Sequence, residues 1–266
     1  MSPTLDAQDL ADRLSDTRWH GIEVVESTSS TNADLLARAA ADGTAEVAGA
    51  VRITTDQTGG RGRHGRTWTA PAGSSVAISA AVAVGAHADR LGWMSLLAGV
   101  AVARAIDSMG VDAVLKWPND VLVDGAKVCG ILSEYAPAAD GGIAIIGIGI
   151  NTDMTAEQLP VPTATSLGIA TGAPVDVQNL TGDVLAQLDA VLYGWPDDLI
   201  ALAAAYRDRC DTLGRRVRLI APGDQDVIGT AVDVDSDGRV IIETSAGERI
   251  VATAGDVTHL RVAEDQ

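Results

Sequence analysis

The run from Val111 to Asn151 constrains the fold of this chain more than any other. Two β-rich segments flank Asp124-Gly125, a dipeptide suited to a two-residue hairpin turn, because both turn positions require positive φ. A second turn over Ala136–Gly142 leads into Ile143–Asn151, an apolar run that reads as a buried strand. A middle third of this kind commits the chain to a sheet. At 266 residues with 47% apolar composition, a sizeable core is available. The chain has no Phe and three Tyr, so packing rests on Val, Leu, Ile and Ala with a few Trp.

The flanks supply helices and further strands. Residues 1–20 read as a short amphipathic helix carrying Leu5, Leu10 and Leu14, followed by a strand at Ile22–Val25. A helix over residues 33–43 has Ser30 or Thr31 at its N-cap and Gly43 at its end. Val47–Thr55 and Ser75–Val84 read as strands, Leu91–Met109 as a long apolar helix closed by Gly110. Two helices follow near residues 176–193 and 197–211, with Pro196 suited to a first helical turn. From Gly214 short strands alternate with Asp-Gly and Ala-Gly turns, the texture of a small barrel. The domain boundary falls near residue 213, dividing the chain into 1–213 and 214–266.

The formal charge of −17 argues against a general nucleic-acid binder, which needs a basic footprint, and against an acidic membrane surface. The acidic N-terminus does not read as a signal peptide, and no uninterrupted apolar run is long enough to span a bilayer. Cys129 and Cys210 lack metal-ligand spacing, so no metal site is expected and a reducing cytoplasmic setting is the natural reading.

Against that charge, the segment Gly60–Trp68 concentrates Arg61, Arg63 and Arg66 among glycines. Glycine allows close backbone approach, and guanidinium forks match carboxylate or phosphate. The loop has little to bury in return for its ordering entropy, so it should be mobile when empty and fold over a small anion. A solvated Arg/Gly loop, or an RGG-like nucleic-acid segment, is the plainer reading. Ser27–Asn32 at a helix start can cap that helix or present polar groups to a ligand head. Lys116-Trp117-Pro118-Asn119-Asp120 ends a strand at the hairpin mouth. Lys127 begins the next strand, where alternation places it on one face with Cys129, Ile131 and Ser133. On an apolar strand it needs a partner or a ligand. Gly147–Asn151 allows a flat ring to approach the backbone.

Taken together, Ser30-Thr31-Asn32, Gln57–Trp68, Lys116–Asp120, Lys127–Glu134 and Gly147–Asn151 resemble the motifs of the biotin–protein ligase family, in order across about 120 residues. The resemblance implies an α/β (α+β) fold, a class II synthetase-like mixed sheet flanked by helices, with a small SH3-like C-terminal barrel. It implies activation of biotin by ATP and Mg2+ to biotinyl-5′-AMP, then transfer to a lysine of the biotin carboxyl carrier domain of an acyl-CoA carboxylase. Family members that also act as repressors carry an N-terminal winged helix-turn-helix. Here the Ser-Thr-Asn motif starts at residue 30, so a ligase without DNA binding is expected, as monomer or homodimer.

By resemblance, Ser30, Thr31, Asn32 and Gln57 hydrogen-bond the ureido head, while Arg61, Gly62 and Arg63 enclose the tail and acyl-phosphate. Lys127 bridges carboxylate and α-phosphate. Trp68 helps hold biotin and close the lid; Arg63, Arg66, Asn119, Lys127 and Asn151 serve the adenylate. Lys127, Arg63 and Asp120 are the catalytic candidates, with Asp120 orienting the acceptor amine or relaying its proton. A lipoate–protein ligase is the nearest alternative, and a nucleic-acid-binding regulator the alternative from another class.

Overall fold

The structure, a computed structural model, describes residues 5–139, 141–220, 226–252 and 256–259. Its strands are β1 (Ile22–Val24), β2 (Val51–Thr54), β3 (Gly60–Arg61), β4 (Thr67–Trp68), β5 (Ser75–Ala83), β6 (Ala113–Lys116), β7 (Asp120–Val123), β8 (Ala126–Ala136) and β9 (Ile143–Asn151) in the first part of the chain. The helices are α1 (Ala7–Arg13), α2 (Thr31–Asp42), α3 (Thr44–Val47), α4 (Gly92–Asp107), α5 (Leu167–Thr171), α6 (Val177–Leu192) and α7 (Leu199–Arg207). A seven-stranded mixed sheet runs β1-β2-β5-β9-β8-β7-β6, with β1 and β2 parallel and the remaining pairs antiparallel.

The expected hairpin turn forms at Asp124-Gly125, with φ of 50° and 77°. The apolar run Ile143–Asn151 becomes the sheet's central strand, flanked by β5 and β8. Alternation divides its side chains between two layers. Ile146, Ile148 and Ile150 join the main core, which includes residues of α4 and α6. Ile143 and Ile145 pack with Leu35 and Ala39 of α2. Beyond them on the α2 side, Gly147 and Gly149 leave room above the sheet, and this room becomes the site.

Besides the N-terminal helix, which covers only Ala7–Arg13 of the described residues 5–20, three expectations about elements change. The strand expected over Val47–Thr55 starts only at Val51, because residues 44–47 form α3 and Val47 is buried beside Leu35. The helix expected over 197–211 is α7, capped by the Asp198 side chain on Ala201 N–H, so Pro196 lies outside it. Residues 209–211 instead bond with Leu115: its N–H donates to the Arg209 carbonyl, and Asp211 N–H donates to its carbonyl, both at 2.8 Å. Covering the β6 edge gives this segment backbone partners outside a helix.

The third change concerns β8. Val121 pairs with Cys129 but Leu122 pairs with Lys127, leaving Val128 as a bulge. The extra residue reverses the alternation, so Lys127 shares a face with Gly130 rather than with Cys129 and Ile131. A Cβ at Gly130 would lie 3.1 Å from Lys127 Nζ.

The C-terminal part is a five-stranded antiparallel sheet in the order β13-β12-β11-β10-β14, made from β10 (Arg216–Ile220), β11 (Asp226–Val234), β12 (Val240–Thr244), β13 (Arg249–Ala252) and β14 (Asp256–His259). The end of its last expected run, residues 260–262, lies outside the described residues. Two tryptophans, one on α4 and one in the β6–β7 connection, bond to the turn between β11 and β12. Trp93 Nε1–H donates to the Ser236 carbonyl at 2.7 Å, and Trp117 Nε1–H to the Gly238 carbonyl at 3.0 Å. No described helix is long and apolar enough to cross a membrane.

Candidate active site

The N-terminus of α2, the ribbon β3–β4, the β6–β7 connection and strands β8 and β9 surround a cavity of about 280 Å³, close to the lower end of small-molecule sites. Its two ends differ in chemistry. One is a buried hydrogen-bonding pocket, the other a cluster of cations.

The polar end begins where α2 begins. Ser30 is the N-cap, accepting from Ala33 N–H at 3.3 Å. Thr31 and Asn32, in the first turn, are 3% and 5% exposed. Gln57 Oε1 accepts from Thr31 N–H at 3.0 Å, which fixes the Gln57 amide with its N–H groups turned away from Thr31. Asn32 is held from three directions. Its Nδ2 donates to the Leu132 carbonyl at 3.1 Å and to Glu134 Oε2 at 2.8 Å. Its Oδ1 lies 2.6 Å from Ser79 Oγ, which also lies 2.7 Å from Thr31 Oγ1. An amide oxygen only accepts, so the single Ser79 proton serves Asn32. Gly147 is required beneath this group, since a Cβ there would come within 2.4 Å of Asn32 Oδ1.

The cationic end gathers Arg63, Arg66, Lys116 and Lys127 around Asp120, the one carboxylate among the lining residues. Lys127 Nζ is 2.5 Å from Asp120 Oδ1 and 5.5 Å from the Trp68 ring centroid, so in the ligand-free protein its charge is met by a carboxylate and a π face. Burial lowers the pKa of Arg63, with Asp120 opposing and Arg66 adding to the fall. Lys116 is lowered by burial too, with Asp120 opposing and Lys127 and Arg66 adding. Cations held in a site that disfavours their charge attract an anion strongly. Trp68 lies against two glycines, for a Cβ at either Gly130 or Gly149 would come within 2.9 Å of its ring. Its buried Nε1–H has no hydrogen-bond partner among the described residues.

The basic loop between the ends is lightly built. β3 and β4 pair over two residues each, Gly60 with Trp68 and Arg61 with Thr67. His64 and Gly65 turn the tip at φ of 55° and 73°. Arg61 does not offer a free fork to the cavity: its Nη2 is 2.8 Å from Glu134 Oε2.

The fold thus brings Ser30, Thr31, Asn32, Gln57, Arg61, Gly62, Arg63, Arg66, Trp68, Asn119, Asp120 and Lys127 around one cavity. Asn151 is not among its lining residues; its Nδ2 donates to the Thr165 carbonyl at 2.9 Å. Asn119 lines the cavity but spends its Nδ2 on the Ile131 carbonyl at 2.8 Å, tying the β6–β7 connection to β8. The sequence reading gave no role to Ser79, Lys116 or Glu134. A serine inside the apolar β5 run was the available signal for Ser79; Lys116 lay in view within its motif. Ile220 and Val257 of the C-terminal sheet also line the cavity, a contact no local pattern encodes.

Comparison with known proteins converges on the same chemistry. Residues 23–151 match the profile of the Biotin/lipoate A/B protein ligase family, and residues 212–260 that of the Biotin protein ligase C terminal domain. The chain is 40% identical to the Biotin--[acetyl-CoA-carboxylase] ligase of Mycobacterium tuberculosis over 98% of both chains. It is 31% identical to the protein of that name from Paracoccus denitrificans, over 85% of this chain and 96% of the relative. In fold it is similar to the biotin protein ligase of Aquifex aeolicus solved with biotin and ATP, at 24% identity and TM-score 0.76, covering 91% of this chain and all of that one. A cavity with a polar head pocket and a cationic mouth, the two matched profiles and the near full-length relatives agree: this chain belongs to the biotin protein ligase family.

Proposed function

We propose that this chain is a biotin–protein ligase that joins biotin to ATP and then passes it to a carrier lysine. One observation carries the reading: a single cavity links a fully oriented, buried set of amides and hydroxyls to a cluster of cations about one carboxylate. The first end suits a small neutral ring rich in donors and acceptors, because leaving such groups unpaired costs about 1–3 kcal/mol each. The second suits a carboxylate meeting a triphosphate, two groups that repel each other in a sheltered site.

In the first step a biotin carboxylate oxygen attacks the α-phosphorus, the bond to pyrophosphate breaks, and biotinyl-5′-AMP remains. Lys127 leaves Asp120 and bridges the attacking carboxylate and the α-phosphate. Arg63, Arg66 and Lys116 compensate the phosphate charge that moves onto the leaving group. Magnesium would offset the charge of the triphosphate, and Asp120, the carboxylate that lines the cavity, would be the residue to hold it; the described residues hold no group of three His, Cys, Asp or Glu placed for a metal.

In the second step the carrier amine attacks the acyl carbon and AMP leaves. Deprotonating a lysine at pH 7 costs about 4.6 kcal/mol, from (10.4 − 7) × 1.36. Once Lys127 has swung to the ligand, Asp120 is released to orient that amine and receive or relay its proton. An ordinary carboxylate is a weak base, so orientation carries more of the effect.

Residues 1–213 serve as the catalytic domain and 214–266 as the C-terminal domain, a division supported by the break between the two sheets. The acceptor is the biotin carboxyl carrier domain of an acyl-CoA carboxylase. Free, buried Cys129 and Cys210 suit a reducing cytoplasm. The deciding experiment incubates the protein with MgATP, biotin and an apo-carrier domain. A mass gain of one biotin on one carrier lysine is expected, with none when lipoate replaces biotin. Gain with lipoate alone, or with neither, overturns the reading.

A further inference from the structure

The Glu134 carboxylate lies on β8, outside the cavity lining, yet it touches both the head pocket and the basic loop. One oxygen, Oε2, accepts from Asn32 Nδ2 and from Arg61 Nη2, each at 2.8 Å. Asn32 belongs to the rigid head pocket and Arg61 to the basic loop. The groove on the outer side of that loop is lined by loop residues together with Leu132 and Glu134. Leu132 also holds Asn32, through its carbonyl. The ribbon of β3 and β4 is too short to persist by its own pairing, so side-chain ties to the sheet decide how long the loop stays down.

From this geometry we infer that Glu134 is a positioning residue that couples recognition of the ligand head to closure of the loop. The carboxylate holds Asn32 in the orientation the head requires and, with the same oxygen, neutralises Arg61 and pins the loop's first strand. Arg61 therefore acts as a fastening for the loop, not as a free fork for the ligand's phosphates. Any shift of Asn32 toward a bound head moves the anchor of the loop as well.

The first test needs no ligand and so does not depend on the ligase reading. Trypsin cuts after arginine, and cleavage after Arg63 and Arg66 reports loop opening. Mass spectrometry of the ligand-free protein should show Glu134→Gln cleaved about fivefold faster than wild type there, the size expected for a half-exposed charged tie. Arg61→Gln should give a similar rise, and the double variant no further one. Equal rates in wild type and Glu134→Gln, at matched Tm, overturn the inference. So does full additivity of the two substitutions.

The second test rests on the ligase reading. For Glu134→Gln, KM for biotin and the fraction of biotinyl-5′-AMP escaping to solvent should each rise about fivefold, while the single-turnover rate at saturating ligands changes less. Glu134→Asp should recover only part of this. A fall in rate with unchanged KM, escape and cleavage assigns Glu134 a purely structural role and overturns the inference. Failure of the ligase reading is distinct from either result, since wild type would then form no biotinyl-5′-AMP at all.

Discussion

The head pocket and the basic loop of the active site are built by opposite strategies. In the head pocket, Ser30, Thr31, Asn32 and Ser79 are all at most 6% exposed and stand on a helix N-terminus and a central strand. Ser79 already joins Thr31 and Asn32, and Ser30 already accepts from Ala33 N–H at the helix start. The loop over residues 60–68 rests on two-residue strands and a half-exposed ion pair. Ordering it costs about 1–2 kcal/mol per residue, and it buries little apolar surface to offset that. Specificity is therefore laid down when the chain folds, whereas closure draws on the binding energy of the anion. The difference explains how a protein of net charge −17 can hold a tight cluster of cations: the positive charge is local and awaits a small, strongly anionic ligand.

The most damaging change should fall where the two regions meet. Lys127→Ala is expected to slow adenylation about 10²–10³-fold, read as biotin-dependent pyrophosphate exchange, with little change in biotin affinity. An unchanged exchange rate would remove Lys127 from the first step. Next, Ser79→Ala leaves Asn32 Oδ1 buried without its donor, at about 1–3 kcal/mol. Calorimetry should show biotin binding weakened about 5- to 100-fold, together with a lower Tm, because the pocket is part of the folded core. A variant that binds weakly at unaltered Tm would show that the pocket is not prebuilt. The smallest effect belongs to the loop. Arg63→Ala should raise escape of biotinyl-5′-AMP about tenfold while leaving Tm unchanged or higher, since burial already disfavours that guanidinium. A lowered Tm would place Arg63 in the stable framework and erase the contrast.

How much of this was legible in the sequence follows the same division. The hairpin at Asp124-Gly125 and the buried run to Asn151 depend on neighbours close in sequence and formed as expected, and of the two cap candidates the helix uses Ser30. The motifs also located most of the cavity, because each contributes a short rigid piece. What escaped depends on contacts across the sheet. The bulge at Val128 turns Lys127 toward Asp120, and alternation alone had sent it toward Cys129. Asn151 ends a strand beside the site, yet its amide is claimed by Thr165, a partner set by the loop that packs there. Ser79 and Glu134 acquire roles only because Asn32 lies between them. The clamp of Trp93 and Trp117 on the Ser236–Gly238 turn joins residues more than a hundred positions apart, and it sets the C-terminal sheet beside the motif that holds Lys116 and Asp120.

Hydrogen exchange measured with and without biotinyl-5′-AMP tests the central claim most directly. Backbone amides of residues 31–34 should be strongly protected in both states. Amides of residues 60–68 should exchange far faster than those of residues 31–34 when free, then slow at least tenfold on binding. Equal protection of the two segments in the free protein, or no slowing of the loop on binding, would contradict the account.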